Sequence, residues 1–267
     1  MRDKLRSRID HILLDSNVYE ELETLRSDGT LTLMFPEIEA LVGFGGEDSG
    51  HKDLWEHTKL VVGQTKCQVL LRWAALFHDV GKPRCYTRDA KGKISFHHHE
   101  SVSAKLFAKV AERVQLFTKE EAKEIKFLVY NLGHVEAYEV DWTDAAVRRL
   151  HRLAGEHFDS LLALARADIT TKHAHKRQKH HERMKHLRER AEELAREDAI
   201  PAALPTGLGD VISQEFGIPK SPTLGFIMIA LKACVEAGEI ERQAPPAAFI
   251  HHIETHPEQF PGVKRSK

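Results

Sequence analysis

Cysteine is scarce. Only Cys67, Cys85 and Cys234 occur in 267 residues, far apart, odd in number and with no CxxC pair. Such a set argues for neither a disulfide framework nor a zinc-thiolate site, and it suits a reducing compartment. Long apolar runs are missing too. The most apolar stretch, GFIMIALKACV, is far too short to span a bilayer, and the N-terminal MRDKLRSRIDHILLD has no apolar core of signal-peptide length. The expectation is a soluble cytoplasmic protein that does not engage a membrane. A formal net charge of −1 supplies no general attraction for nucleic acid, so only a local basic patch could do so. There is no convincing strand run, no internal repeat and no low-complexity tract.

What is present reads as helix. Apolar residues make up 42% of the chain and charged residues 30%, a globular balance, and 267 residues allow one large helical domain or a core with a smaller appendage. From 102 to 114 one face carries Ala104, Phe107, Ala111 and Val114, flanked by Val102, Leu106 and Val110. Thr118 with Glu121 has capping-box spacing and predicts a helix over 119–132 that stops at Gly133. Thr143 and Gly155 bracket another. The segment QVLLRWAALFHDV, apolar nearly all round and closed by Gly81-Lys82-Pro83, predicts a core helix whose C-terminus delivers His78 and Asp79. Ser221-Pro222 is a helix start, with serine as cap. The expected fold is therefore all-α: a lead-in over 1–48, a main domain over 49–200 that includes a basic helix at 171–198, and a helical appendage over 201–267. Pro201, Pro205, Gly207 and Gly209 mark the last boundary.

Histidine is the unusual component, with eighteen residues. A histidine followed by an aspartate offers a nitrogen and an oxygen ligand about 100° apart around a helix, yet an isolated pair is more often an ordinary surface feature. Here the pair stands among other words: LWEHTKLVV around His57, LRWAALFHDVGKP around His78-Asp79, ISFHHHESVSA around His99, LVYNLGH ending at His134, and LLALARADIT around Asp168. Together these words resemble the HD phosphohydrolase superfamily. The similarity is closest to the HD portion of bacterial tRNA nucleotidyltransferases, the CCA-adding enzymes, over roughly 36–175, with a helical tail from GLGDVISQEFGIPKSP onward that looks alike but less specifically so. No nucleotidyltransferase head with paired aspartates precedes this region, so nucleotide addition is not expected.

The resemblance implies a helical HD bundle with a primary metal site made by His57, His78, Asp79 and Asp168. It further implies a second ion held by His99 and His134, with Asp79 bridging both. His97 and His98 adjoin His99, so the register at that ligand stays open by one residue. Imidazoles and carboxylates without thiolate suit one or two divalent ions such as manganese, iron, cobalt or nickel, with zinc or magnesium also tolerated. Ions of this kind about 3.5–4 Å apart could activate water for in-line attack on phosphorus.

Other residues bear on substrate. Lys82 could reach a phosphate oxygen or protonate the leaving oxygen, or be simply a lysine favoured near a helix C-terminus. Arg148 and Arg149 offer bidentate phosphate contacts, though neighbours on a helix point apart, so at most one faces the site. Arg166, two residues before Asp168, should point away from the metals. Glu56 and Glu100 could orient imidazoles or face solvent. His51 lies off the face of His57, which suits a substrate-contact or structural role, and Asp53 reads as an N-cap.

From Lys172 to Arg190 eight lysines or arginines face two acids, Glu182 and Glu189, with five histidines interleaved. Met184, Leu187, Ala191 and Leu194 give that stretch an apolar face. A solvated helix is the plain reading; contact with RNA is the alternative. The resemblance implies hydrolysis of nucleotide or RNA 3′-end phosphoesters, as a 2′,3′-cyclic phosphodiesterase or a phosphatase acting on 2′-nucleotides. Two other readings remain: an RNA-binding module with a structural metal, and a deoxynucleoside triphosphate hydrolase.

Overall fold

A computed structural model describes residues 2–45, 53–92, 94–261 and 263. His51 lies outside the described residues. The elements run α1 (Arg2–Leu14), α2 (Val18–Ser27), α3 (Thr30–Met34), α4 (Pro36–Glu39), α5 (Leu54–Gln64), α6 (Val69–Phe77) and the one-turn α7 (Lys82–Cys85). A ribbon of β1 (Thr87–Arg88) and β2 (Ile94–Ser95) leads to α8 (His99–Val114), α9 (Lys119–Glu136), α10 (Asp144–Ala154), α11 (Phe158–Asp168) and α12 (Ala174–Ala199). Then follow α13 (Leu208–Phe216), α14 (Pro222–Glu236) and α15 (Pro246–Thr255), with a 3₁₀ turn at Pro257–Gln259. The fold is all-α. The two strands are an addition to the expected pattern: they pair antiparallel, Thr87 with Ser95 and Arg88 with Ile94, and are too short to leave an alternating signature.

The chain divides into two compact units, Met1–Leu194 and Ala195–Lys267. The division falls inside α12 and ahead of Pro201, because Leu194 is the last α12 side chain buried in the first core and everything from Ala195 to Pro201 is exposed. In the first unit α9 packs on α6, α8 and α11, and α5 packs on α2, α6 and α11. Helix α6 is buried on nearly every side, as its composition requires: Trp73, Ala74, Ala75, Leu76 and Phe77 are at most 1% exposed. Phe77 meets Phe107 edge to face at 5.1 Å, and Trp73 meets Phe117 at 4.9 Å. Each such buried aromatic contributes about 1.5–3 kcal/mol by leaving water. The buried guanidinium of Arg72 donates to Thr65 O (3.2 Å), Leu13 O and Asp15 O (3.1 Å), answering carbonyls at the C-terminal ends of α5 and α1.

Two sequence expectations change in detail. Thr118 and Glu121 do form a reciprocal capping box, but α9 runs through Gly133 to Glu136. Gly133 is there for close approach: a Cβ on it would sit 2.4 Å from Glu100 Oε1 in the first turn of α8. Ser221 occupies the cap position before Pro222, yet its side chain makes no capping hydrogen bond. Asp53 does cap, accepting from the backbone N–H groups of Trp55 (2.8 Å) and Glu56 (3.0 Å).

Candidate metal centre

Three helices of the first unit bring their ends or faces to one point. His57 stands at the end of the first turn of α5, His78 and Asp79 follow the last turn of α6, and Asp168 is the last residue of α11. His57 Nε2 lies 3.3 Å from His78 Nε2, 3.3 Å from Asp79 Oδ2 and 2.9 Å from Asp168 Oδ1. His78 Nε2 lies 3.2 Å from Asp79 Oδ2 and 3.1 Å from Asp168 Oδ1. Donor atoms from His57, His78 and Asp168 share a sphere small enough for one ion.

The ring orientations are fixed from behind. His78 Nδ1 donates to Ala75 O (2.7 Å) and His99 Nδ1 to Phe96 O (2.9 Å), while His57 Nδ1 meets Thr170 Oγ1 (2.9 Å). A backbone carbonyl can only accept, so Nδ1 of His78 and of His99 carries a proton and Nε2 is the ring nitrogen turned to the cluster, where its lone pair would serve a bound cation. Outer contacts of this type orient metal-ligating histidines. A divalent cation also fits the carboxylates: Asp79 Oδ1 and Asp168 Oδ1 are shielded from water and accept no hydrogen bond among the described residues.

Without a cation, the buried charges of this cluster balance one another. Burial works against ionisation throughout, and opposite charges override it. Asp168 and Asp79 lift His57 above its ordinary value, and Asp79 with Asp168 lifts His78 well above it. His78 and Lys82 hold Asp79 far below the usual carboxylate range, and His78 with His57 does the same for Asp168. Lys82 Nζ donates to Asp79 Oδ2 at 2.6 Å and is pushed up by Asp79 and Asp168, so it stays a cation beside the donors. These partners are required, since an unpaired buried carboxylate costs several kcal/mol.

His99, at the start of α8, points inward with Nε2 3.4 Å from Asp79 Oδ1, whereas His97 and His98 are exposed. The expected six-donor arrangement is not assembled, because His134 is exposed and turned elsewhere. The residue of α9 that reaches the cluster is Glu136, whose carboxyl lies beside that of Asp168. Burial and the Asp168 charge push its carboxyl far above the ordinary range. Two residues along a helix is about 200°, so a helix that presents Glu136 turns His134 away. Expecting the helix to stop at Gly133 hid Glu136; Gly133 and Glu136, three apart, share one face. Thr170 was also missed, and a threonine two residues past a ligand carries little signal of its own.

Arg149 and His134 line a separate cleft of about 640 Å³ with Asp141, Trp142 and Leu153, and none of the converging residues lines it. Arg148 is half-buried on α10 beside Asp144. Glu100 reaches within 3.5 Å of His99 Nδ1, while Glu56 pairs with Lys59 (2.8 Å) and Tyr19, away from His57. Arg166 turns outward, lining a groove with Lys66, His181 and Arg188. On α12 several basic residues are already engaged: Arg183 pairs with Glu139 (2.7 Å), Arg188 with Asp159 (2.7 Å) and Arg190 with Asp144 (2.6 Å). His180 and His181 donate to Ala165 O (2.8 Å) and Arg166 O (3.2 Å), satisfying the end of α11 just before Asp168.

Gly81 fixes the distance between the Asp79 turn and α8. Its N–H donates to Ser103 Oγ (2.8 Å), and a Cβ there would meet His99 O at 2.5 Å and Ser103 N at 2.6 Å. Gly81→Ala should therefore destabilise the fold by about 1–3 kcal/mol, measured by urea unfolding. For the metal, elemental analysis of the dialysed protein should find at least one divalent ion per chain, lost in Asp168→Ala and kept in His134→Ala. Retention in Asp168→Ala would remove the cluster as the binding site.

Comparison with known proteins agrees with this geometry. A profile of the HD domain matches residues 55–203. The chain is 29% identical over 257 residues to the A-adding tRNA nucleotidyltransferase of Deinococcus radiodurans, covering 93% of this chain and 57% of that protein. It is 26% identical over 255 residues to the CC-adding tRNA nucleotidyltransferase of Thermus thermophilus, covering 93% and 56%. A multifunctional CCA protein of Herminiimonas arsenicoxydans matches at 37% over 101 residues, 34% of this chain and 23% of that one. The chain thus spans a little over half the length of the first two relatives. With the profile covering more than half of its residues and the donors converging as they do, this chain belongs to the HD-domain family, a superfamily of metal-dependent phosphohydrolases.

Proposed function

We propose that this chain hydrolyses phosphoesters of nucleotides or RNA 3′ ends, as a 2′,3′-cyclic phosphodiesterase, a phosphatase on 2′-nucleotides, or both. The observation that carries this reading is a cluster of two imidazoles and two carboxylates with a cation, Lys82, held against its edge. His57, His78, Asp79 and Asp168 would hold the ion, taken as manganese, iron, cobalt or nickel; when bound it supplies Lewis-acid polarisation of a phosphoryl oxygen and a water acidified toward pKa ~7.

The protein's own groups do the rest. His78 and Asp79 are essentially closed to solvent, while Asp168, Lys82 and His99 keep side chains 18–20% exposed, so among the described residues they form the edge a substrate would meet. Lys82, cationic and 2.6 Å from Asp79, is positioned to neutralise a nonbridging oxygen or give a proton to the leaving oxygen. Glu136, whose carboxyl lies beside that of Asp168, is placed to orient that carboxylate. His99 adds a third imidazole, on the Asp79 Oδ1 side, which suits either a second ion or a substrate phosphate.

RNA as substrate is supported by two features. The relatives are named for tRNA nucleotide addition, and Lys66, Arg166, His181, Arg188, Arg177 and Lys185 line two adjoining grooves of about 420 and 390 Å³ between α11 and α12. These grooves also favour the second reading, an RNA-binding module, whose mark is salt-dependent RNA binding that persists after chelation.

Turnover of 2′,3′-cyclic nucleotides, 2′- and 3′-nucleotides, deoxynucleoside triphosphates and an aryl phosphate with added manganese, cobalt or nickel tests the proposal. Asp79→Ala should abolish the metal-dependent rate, and Lys82→Ala should lower kcat about 10²–10³-fold while retaining metal. Activity confined to triphosphates would reassign the substrate, and none on any compound would favour the binding module.

A further inference from the structure

Away from the HD cluster, the C-terminal unit holds another set of donors. Cys234, Glu239 and His252 each place one potential ligand atom within 4.8 Å of the others. Cys234 comes from the last turn of α14, Glu239 from the chain just beyond it, and His252 from α15. Between the first two, Gly238 takes φ 80° and the Glu239 N–H donates back to Cys234 O (2.9 Å), which folds the acid over the thiol.

His252 is the informative member. It is 8% exposed, and its Nε2 is shielded from water with no hydrogen-bond partner among the described residues, 3.5 Å from Glu239 Oε2. Buried polar nitrogens are almost always satisfied, so this one calls for a partner. Cys234 is 6% exposed, and Gln259 Oε1 lies 3.3 Å from its Sγ. His256 stacks on His252 with ring centroids 4.3 Å apart, but its Nδ1 is turned to His252 O (3.2 Å) and Thr255 Oγ1 (3.0 Å). A tetrahedral ion bound at ~2.3 Å to sulfur and ~2.0–2.1 Å to nitrogen and oxygen sets its ligands about 3.3–3.8 Å apart. The 3.3 and 3.5 Å separations already match that edge length.

We propose that Cys234, Glu239 and His252 form a second metal site, for a zinc-type divalent cation, with Gln259 Oε1 or water as the fourth ligand. The thiol releases its proton to solvent as the sulfur–metal bond forms. A thiolate with one imidazole and one carboxylate selects zinc or cobalt over magnesium or calcium. The ion joins α14, α15 and the Pro257–Gln259 turn in a unit with a small apolar core, where one crosslink matters more than in a large domain. The spacing matches no common zinc motif, which is why the sequence gives no warning of it.

Cobalt reads this site separately, because the HD cluster contains no sulfur. Titrating the full-length Asp79→Ala chain with Co²⁺ should raise a near-ultraviolet thiolate-to-cobalt band that saturates at one equivalent and is bleached by Zn²⁺. Cys234→Ser should lose the band, Glu239→Gln should weaken Co²⁺ binding at least tenfold, and the double variant Cys67→Ser/Cys85→Ser should keep it. No band in the parent chain overturns the proposal. So does a band that survives Cys234→Ser. If Cys234→Ser does not fold, a band indifferent to Glu239→Gln and lost in the double variant overturns it equally.

Discussion

Two carboxylates and two imidazoles meet at one point inside the first unit, and the surrounding helices are arranged to make that tolerable. Asp79 and Asp168 have no access to bulk water at the atoms that converge, so their charge must be met by His57, His78 and Lys82, or by a cation. Each donor is supplied from a position where the backbone cannot easily move. His57 is held in the first turn of α5 behind the Asp53 cap, the His78-Asp79 pair ends the buried α6, and Asp168 ends α11, whose last carbonyls are bonded by His180 and His181 of α12. The apolar packing beneath α6 is therefore part of the site, because it fixes where the doublet emerges.

The same arrangement separates functions around the cluster. On the closed side, the hydrogen bonds from Nδ1 of His78 and His99 to carbonyls set which ring nitrogen faces inward. On the open side, Lys82, His99 and Asp168 form the edge a phosphate would meet. Glu136 joins through Asp168, and Gly81 and Gly133 let α8 and α9 come close enough for His99 and Glu136 to belong to one centre.

Much of this was legible in the sequence. Helical periodicity gave the all-α class, the capping signals at Thr118 and Thr143 located helix starts, and the words around His57, His78-Asp79 and Asp168 named residues that the structure brings together. What failed was tied to one glycine. Read locally, Gly133 looks like a helix stop; in three dimensions it makes room for the Glu100 carboxylate, the helix continues, and Glu136 replaces His134 at the centre. A close tertiary contact of that kind has no local signature. The triple histidine at 97–99 was open for a similar reason: only the turn through His98, at φ 62°, determines that His99 alone faces inward. Pairing of α12 arginines with Glu139, Asp159 and Asp144 likewise depends on helix packing that charge counting cannot supply.

The most direct measurement of the central claim is anomalous diffraction at the manganese edge from crystals of the manganese-loaded chain soaked in inorganic phosphate. The expected map shows an ion bounded by His57, His78, Asp79 and Asp168, with phosphate between that ion and the Lys82 ammonium. An ion bound elsewhere, or a phosphate remote from Lys82, would contradict it.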